Sequence, residues 1–199
     1  MHVSNKYITI PAEQLMNRSP LAAQAYHEVI ASINNMIGTI NNSSKNCNGV
    51  VPIKEGCYEL LEEHFGWYRE KPLDSFSEKG GPIDVYKEFD NGVEFLRVGL
   101  EFETGNISSA HRSMNKLAIG IENHDIEFGI LLMPIHKLSY YLTDRVSNYE
   151  ELEQYFSLVD SYPFAFLGFD AEDYSENYPI LPKGKDGMSP RSIRKWKHR

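Results

Sequence analysis

The sequence predicts an α/β fold, a central mixed β-sheet flanked by helices, and three stretches of its 199 residues point there. Residues 96–103 (LRVGLEFE) alternate strictly between apolar and polar, the period of a half-buried strand. Residues 107–121 change to apolar positions three and four apart, the period of a helix. Residues 128–135 (FGILLMPI) then form a short continuous apolar run, as a strand buried on both faces requires. Strand, helix and strand in succession are the building unit of open α/β sheets.

The other elements follow in chain order. Residues 12–37 set Leu15, Met16, Ala22, Tyr26, Val29, Ile30, Ile33 and Ile37 mostly three or four apart, so one or two amphipathic helices open the chain. The polar stretch 41–48 reads as a surface loop. A helix over 54–65 puts Cys57, Leu60, Leu61, His64 and Phe65 on one face, with His64 packed rather than ligating and Gly66 as the stop. Residues 83–86 (IDVY) make a short strand and residues 164–169 (FAFLGF) another buried one. After the strand at 96–103, Thr104-Gly105-Asn106 is a turn whose Asn, or the serines that follow, can cap the next helix. That helix buries Ile107, Ala110, Met114, Leu117, Ala118 and Ile121, presents Ser108, Arg112 and Asn115, and ends near Asn123 and His124.

With 41% apolar and 24% charged residues, the composition excludes disorder, collagen and coiled coil. Residues 1–199 are expected to form one domain with a basic tail over 183–199. No window approaches the roughly 18 uninterrupted apolar residues of a membrane span, and the start (MHVSNKYITI) lacks an export pattern, so a cytoplasmic protein without membrane contact is expected. Cys47 and Cys57 match neither a zinc site nor a disulfide framework and are expected as reduced thiols. The net charge of −8 would repel nucleic acid, yet it is unevenly spread. The tail carries seven Lys and Arg against Asp186, a net +6, which leaves −14 on the first 182 residues. Such a tail is most often a solvated end; the sharper reading is a contact with a polyanion.

Chemistry is suggested where the strand at 96–103 ends. Glu101 and Glu103 fall on one strand face roughly 7 Å apart. An isolated pair of this kind is usually a solvent-exposed face. Here both acids precede a Gly turn and a helix N-terminus, where open α/β sheets gather ligands. Asp84 lies 17 residues upstream of Glu101, close enough to join them across a hairpin. Three carboxylates at one sheet end suit Mg²⁺, with a phosphodiester as substrate and a spare carboxylate to take a proton from the attacking water. Glycoside hydrolysis fits less well, because neighbours on one strand face cannot readily flank a bond from opposite sides.

At this point longer strings become informative: PIDVYKEF (82–89), EFETGNISSAHRSMNKL (101–117), YYLTDRV (140–146), PKGKDGMS (182–189), NCNGVVPIKE (46–55) and WYREKPLD (67–74). In these the chain resembles the BamHI family of type II restriction endonucleases, within the PD-(D/E)xK superfamily, over residues 46–197; its shortness suggests a short isoschizomer. The resemblance implies a bacterial enzyme that acts as a homodimer on double-stranded DNA. It would recognise GGATCC and cut after the first G, leaving four-base 5′ overhangs. It implies Mg²⁺ at Asp84 and Glu101, with Glu70 at the edge of the site and the Phe102 carbonyl as a further ligand. Glu103 stands where most of the superfamily has lysine, which makes it the implied general base.

Implied base readers are Asn106, Ser108, Arg112, Asp144 and Arg145 in the major groove, with Asp186, Gly187 and Met188 from the tail. Their side chains match the edges of the bases: arginine forks fit guanine N7 and O6, and a carboxylate accepts from cytosine N4. Lys54 is implied to hold a carboxylate or backbone at the DNA side. The helix over 108–123 and the stretch YEELEQYFSLVD after Asn148, with Leu152, Tyr155, Phe156 and Val159, are implied to make the subunit contact. Shorter termini than in the relative imply a weaker clamp on DNA and looser discrimination. A DNA-binding module without turnover would need a lost catalytic group, and Asp84, Glu101, Glu103 and Glu70 are all present.

Overall fold

The computed structural model describes residues 1–75, 80–143 and 145–183. Its strands are β1 (His2–Ile8), β2 (Thr39–Ile40), β3 (Tyr68–Lys71), β4 (Ile83–Asp90), β5 (Phe95–Phe102), β6 (Phe128–Pro134), β7 (Phe164–Asp170) and β8 (Asp173–Tyr174). Its helices are α1 (Ile10–Arg18), α2 (Pro20–Asn34), α3 (Val51–Glu63), α4 (Ile107–Glu122), α5 (His136–Ser139) and α6 (Tyr149–Glu153), followed by a 3-10 turn at Phe156–Val159.

The main sheet runs β1-β7-β6-β5-β4-β3, and β2 and β8 form a small parallel pair. β5, β6 and β7 are mutually parallel, while β4 joins β5, β3 joins β4 and β1 joins β7 in antiparallel fashion. Every residue of β6 and β7 is buried, as their unbroken apolar runs require. α4 lies against β5 and β6, and α1 and α2 lie against β1, β5 and β7. The expected mixed sheet flanked by helices is thus the observed fold.

Local signals explain the element ends. Thr9 and Ser19 cap α1 and α2 by accepting from the Ala12 and Ala22 amides, and Asn106 caps α4 by accepting from the Ser109 amide. Several elements differ from the sequence expectation. β4 extends to Asp90, because its ladder with β5 continues to the Asp90–Phe95 pair, beyond the four residues its apolar pattern marks. β1 and β3 are sheet-edge strands whose polar, irregular sequences carry no clear alternation. His64 is exposed as the C-cap of α3 rather than packed. The ends of the 41–48 stretch are not surface loop: Asn41 and Asn48 are buried, with their side-chain amides donating to the carbonyls of Tyr178 and Tyr141. Leu152, Phe156 and Val159 are also buried within the chain's own core, so of the four interface positions only Tyr155 is at the surface. Among the described residues no helix is long and apolar enough to cross a membrane.

A buried polar knot joins α2 to the β3–β4 edge. Glu28, on α2, accepts from the Trp67 indole at 2.7 Å and from Lys87 Nζ at 2.8 and 3.1 Å. Removing the carboxylate would strand a largely buried ammonium and an indole N–H, the situation in which breaking a buried pair is costly. Glu28→Ala should destabilise the fold by about 3–5 kcal/mol, read as a lower urea midpoint with an unchanged m-value.

Candidate active site

The site begins where β4 and β5 part. Val85 pairs with Leu100, so Asp84 and Glu101 face each other at the next register position. There the Phe102 amide donates to Asp84 Oδ2 at 3.1 Å, a side-chain acceptor taking the place of a ladder carbonyl. α3 brings two more groups to the same oxygen from successive turns of one face: Tyr58 OH donates at 3.1 Å and Lys54 Nζ stands 3.7 Å away. Lys54 also lies over the Tyr58 and Phe102 rings, 5.5 and 5.4 Å from their centroids. Burial and the adjacent Asp84 carboxylate push the Tyr58 hydroxyl well up, so it remains a proton donor.

Glu101 and Glu103 do not form the solvated face that an isolated acidic pair would. They are 3% and 8% exposed, covered by α4. Lys116 Nζ donates to Glu101 Oε1 at 2.7 Å and to the Pro82 carbonyl at 2.8 Å. Ser113 Oγ lies 3.1 Å from Glu101 Oε2 and 2.9 Å from Glu103 Oε2. The Gly105 amide donates to Glu103 Oε1 at 2.5 Å. A Cβ at position 105 would come within 2.8 Å of that oxygen, so the turn needs glycine to hold the carboxylate this closely. Burial first, and Asp84 second, push Glu101 up to about 7 against the opposing pull of Lys116 and Ser113.

Among the described residues no three Asp, Glu, His or Cys side chains form a ready cation cage. The donors gathered here are nevertheless hard oxygens, and the repulsion between Asp84 and Glu101 is a charge excess that a divalent cation would relieve. The chemistry of the site therefore fits Mg²⁺. Phe102 contributes its backbone at this point, its ring being buried against Tyr58 and Phe169. Glu70 lies on β3 in register with Asp84, between the pairs Arg69–Val85 and Lys71–Ile83. Its φ of +56° is left-handed, a conformation that costs a non-glycine residue about 1 kcal/mol or more.

The DNA-reading candidates lie beyond the carboxylates. Asn106 is the exposed cap of α4, and Ser108 and Arg112 are exposed on its polar face. Arg145, exposed and left-handed at φ +67°, belongs to a loop tied to the same turn, since the Ser147 amide donates to the Gly105 carbonyl at 2.7 Å. Asp144, Asp186, Gly187 and Met188 lie outside the described residues, as does the basic tail after Lys183. Sequence reasoning missed Tyr58, Ser113 and Lys116. Their signal was faint: Ser113 and Lys116 sit one turn apart within the stripe that also buries Ala110, Met114, Leu117 and Gly120.

The raised Glu101 pKa makes stability fall as pH rises. Because the folded carboxyl holds its proton to higher pH than the unfolded one, its contribution to stability is complete below about pH 4.5 and is lost as pH rises through about 7. In chelator, the wild-type protein should lose stability between pH 5 and pH 8, by roughly 2–4 kcal/mol from this group. Glu101→Gln should flatten that slope, as read from denaturant unfolding at the two pH values.

The protein-family model described as restriction endonuclease BamHI matches residues 1–188. The type II restriction enzyme BamHI of Bacillus amyloliquefaciens is 58% identical over 207 aligned positions, covering 99% of this chain and 97% of that protein. The type II restriction enzyme OkrAI of Oceanobacter kriegii is 39% identical over 157 positions, covering 75% and 78%. Shortness suggested an isoschizomer of the OkrAI kind, yet of these two relatives BamHI shares more residues with this chain. Among solved structures, restriction endonuclease BglII complexed with a DNA 16-mer matches with a TM-score of 0.63, covering 91% of this chain and 88% of that one. At 14% identity this is a likeness of fold. A family match from the first residue to residue 188, with BamHI identical at more than half of the aligned positions, means that this chain belongs to the BamHI family of restriction endonucleases.

Proposed function

We propose that this chain is a Mg²⁺-dependent type II restriction endonuclease that hydrolyses double-stranded DNA at GGATCC, after the first G, as a homodimer in the bacterial cytoplasm. Residues 1–199 act as one endonuclease domain, with the basic tail over 183–199 as a further source of positive charge for phosphates. The observation that carries this reading is the facing pair Asp84 and Glu101, with Glu103 beside them and Lys54 at their edge, at the foot of the helix that exposes Asn106, Ser108 and Arg112.

Asp84 and Glu101 would hold the metal, with Glu70 and the Phe102 carbonyl at its edge. Bound there, Mg²⁺ supplies charge neutralisation at the phosphate and a more acidic water. Glu103 accepts the proton of the attacking water; the Gly105 amide and Ser113 each engage one of its oxygens, and a second lone pair on each remains available. Lys54, a few ångströms from Asp84, places positive charge where a phosphate would enter. Arg112 and Arg145 offer forks for guanine, Asp144 an acceptor for cytosine N4, and Asn106 and Ser108 polar reach to neighbouring bases, with Asp186, Gly187 and Met188 approaching from the tail.

A palindrome read by identical halves calls for twofold symmetry. The surface of α4 and the segment after α6 supports such a contact, because Ile119, Tyr155 and Leu158 are exposed there and the Tyr155 ring meets His111 edge-on at 4.5 Å.

Digestion of a mapped plasmid with and without Mg²⁺, followed by sequencing of the cut ends, should show cleavage confined to GGATCC with 5′-GATC overhangs. A different cut site would void the base-contact assignments, and an untouched plasmid would remove the hydrolytic reading. Glu103→Gln should lower the single-turnover cleavage rate by about 10²–10⁴ while retaining DNA binding; near wild-type turnover would exclude Glu103 as the base.

A further inference from the structure

We propose that Ser113 and Lys116 of α4 are positioning residues that set the relative placement of the three reacting-site carboxylates, and thereby metal affinity and turnover. This rests on the reading that Asp84 and Glu101 hold a divalent cation.

Both residues sit where packing alone would favour apolar side chains. Ser113 is 4% and Lys116 7% exposed, within a stripe that otherwise consists of Ala110, Met114, Leu117 and Gly120. A buried ammonium is costly unless it is paired and hydrogen-bonded, so its contacts must explain it. Lys116 joins β5 to the residue leading into β4: Nζ binds Glu101 Oε1 and the Pro82 carbonyl, two residues before Asp84. It therefore couples the position of Glu101 to the strand that carries Asp84. Ser113 bridges the other pair, with one hydroxyl between Glu101 Oε2 and Glu103 Oε2. Together with the Gly105 amide, these two side chains give each of the four oxygens of Glu101 and Glu103 a protein partner.

That degree of restraint matters for a small divalent cation, which demands near-ideal oxygen geometry. Neither side chain belongs to the exposed face that carries Ser108 and Arg112, so neither is placed to touch DNA. Their removal should change the chemistry and leave substrate affinity alone.

Terbium(III) is a hard-oxygen probe whose luminescence Tyr58, bonded to Asp84, can sensitise. In the full-length protein, Ser113→Ala and Lys116→Met should each weaken terbium binding and lower kcat by about 10–100-fold. KM for a GGATCC duplex should stay within about twofold of wild type, since outer partners of a metal site act through the ligands they orient. Ser113→Thr, which keeps the hydroxyl, should restore both quantities. If Lys116→Met fails to fold, the two Ser113 variants decide the matter. Unchanged terbium affinity and kcat in a folded Ser113→Ala variant would overturn the inference, as would failure of Ser113→Thr to restore either. A wild-type protein that neither binds terbium nor cleaves in Mg²⁺ would instead overturn the metal reading on which this rests.

Discussion

The burial of Glu101 is the constraint around which the acidic end of the sheet is arranged. A carboxylate 3% exposed at a sheet end would be several kcal/mol too costly alone. The fold answers with an ammonium from α4, a hydroxyl from one turn earlier on the same helix, and a neighbouring strand whose own carboxylate is held by an amide, a phenol and Lys54. The compensation is incomplete, as the upward shift of Glu101 records. A site left with excess negative charge is less stable than a neutral one, and a cation would relieve it.

This arrangement depends on helices being placed from outside the sheet. α4 can reach Glu101 because Gly99 and Gly129 leave room on β5 and β6 for Leu117 and its neighbours to approach closely. α3 can deliver Lys54 and Tyr58 because Arg69 clamps it: the guanidinium lies over the Tyr58 ring and meets Glu55 and Glu62. On the same face of these strands, the Glu28–Trp67–Lys87 knot ties α2 to the β3–β4 edge. The carboxylates are thus held by contacts spread over α3, α4, β3, β4 and β5, rather than by the strand that carries two of them.

Burial pattern explains which elements were legible. β5, α4, β6 and β7 each announce themselves by period or by an unbroken apolar run, because their burial is nearly uniform along one face or both. β1 and β3 do not, because an edge strand is stabilised by its neighbour's backbone and its side chains are free to be polar. In the segment after Asn148 an apolar stripe states only that something covers it: the chain's own core covers Leu152, Phe156 and Val159, while Tyr155 and Leu158 stay exposed. Ser113 and Lys116 were hidden within an apolar stripe, where a polar residue looks like an imperfection until its partner is known.

The sequence by itself determined the fold class, the order of the main elements and the acidic cluster, because periodicity and residue chemistry are local properties. Its resemblance to one nuclease family singled out candidate site residues. What only the tertiary structure decided is the state of those residues. That Asp84 faces Glu101 across a parting ladder, that one hydroxyl bridges two carboxylates, and that a lysine 15 residues away neutralises the deeper one are all consequences of through-space distances. Electrostatic energy depends on those distances and on exclusion of water, neither of which is encoded at any single position of the chain.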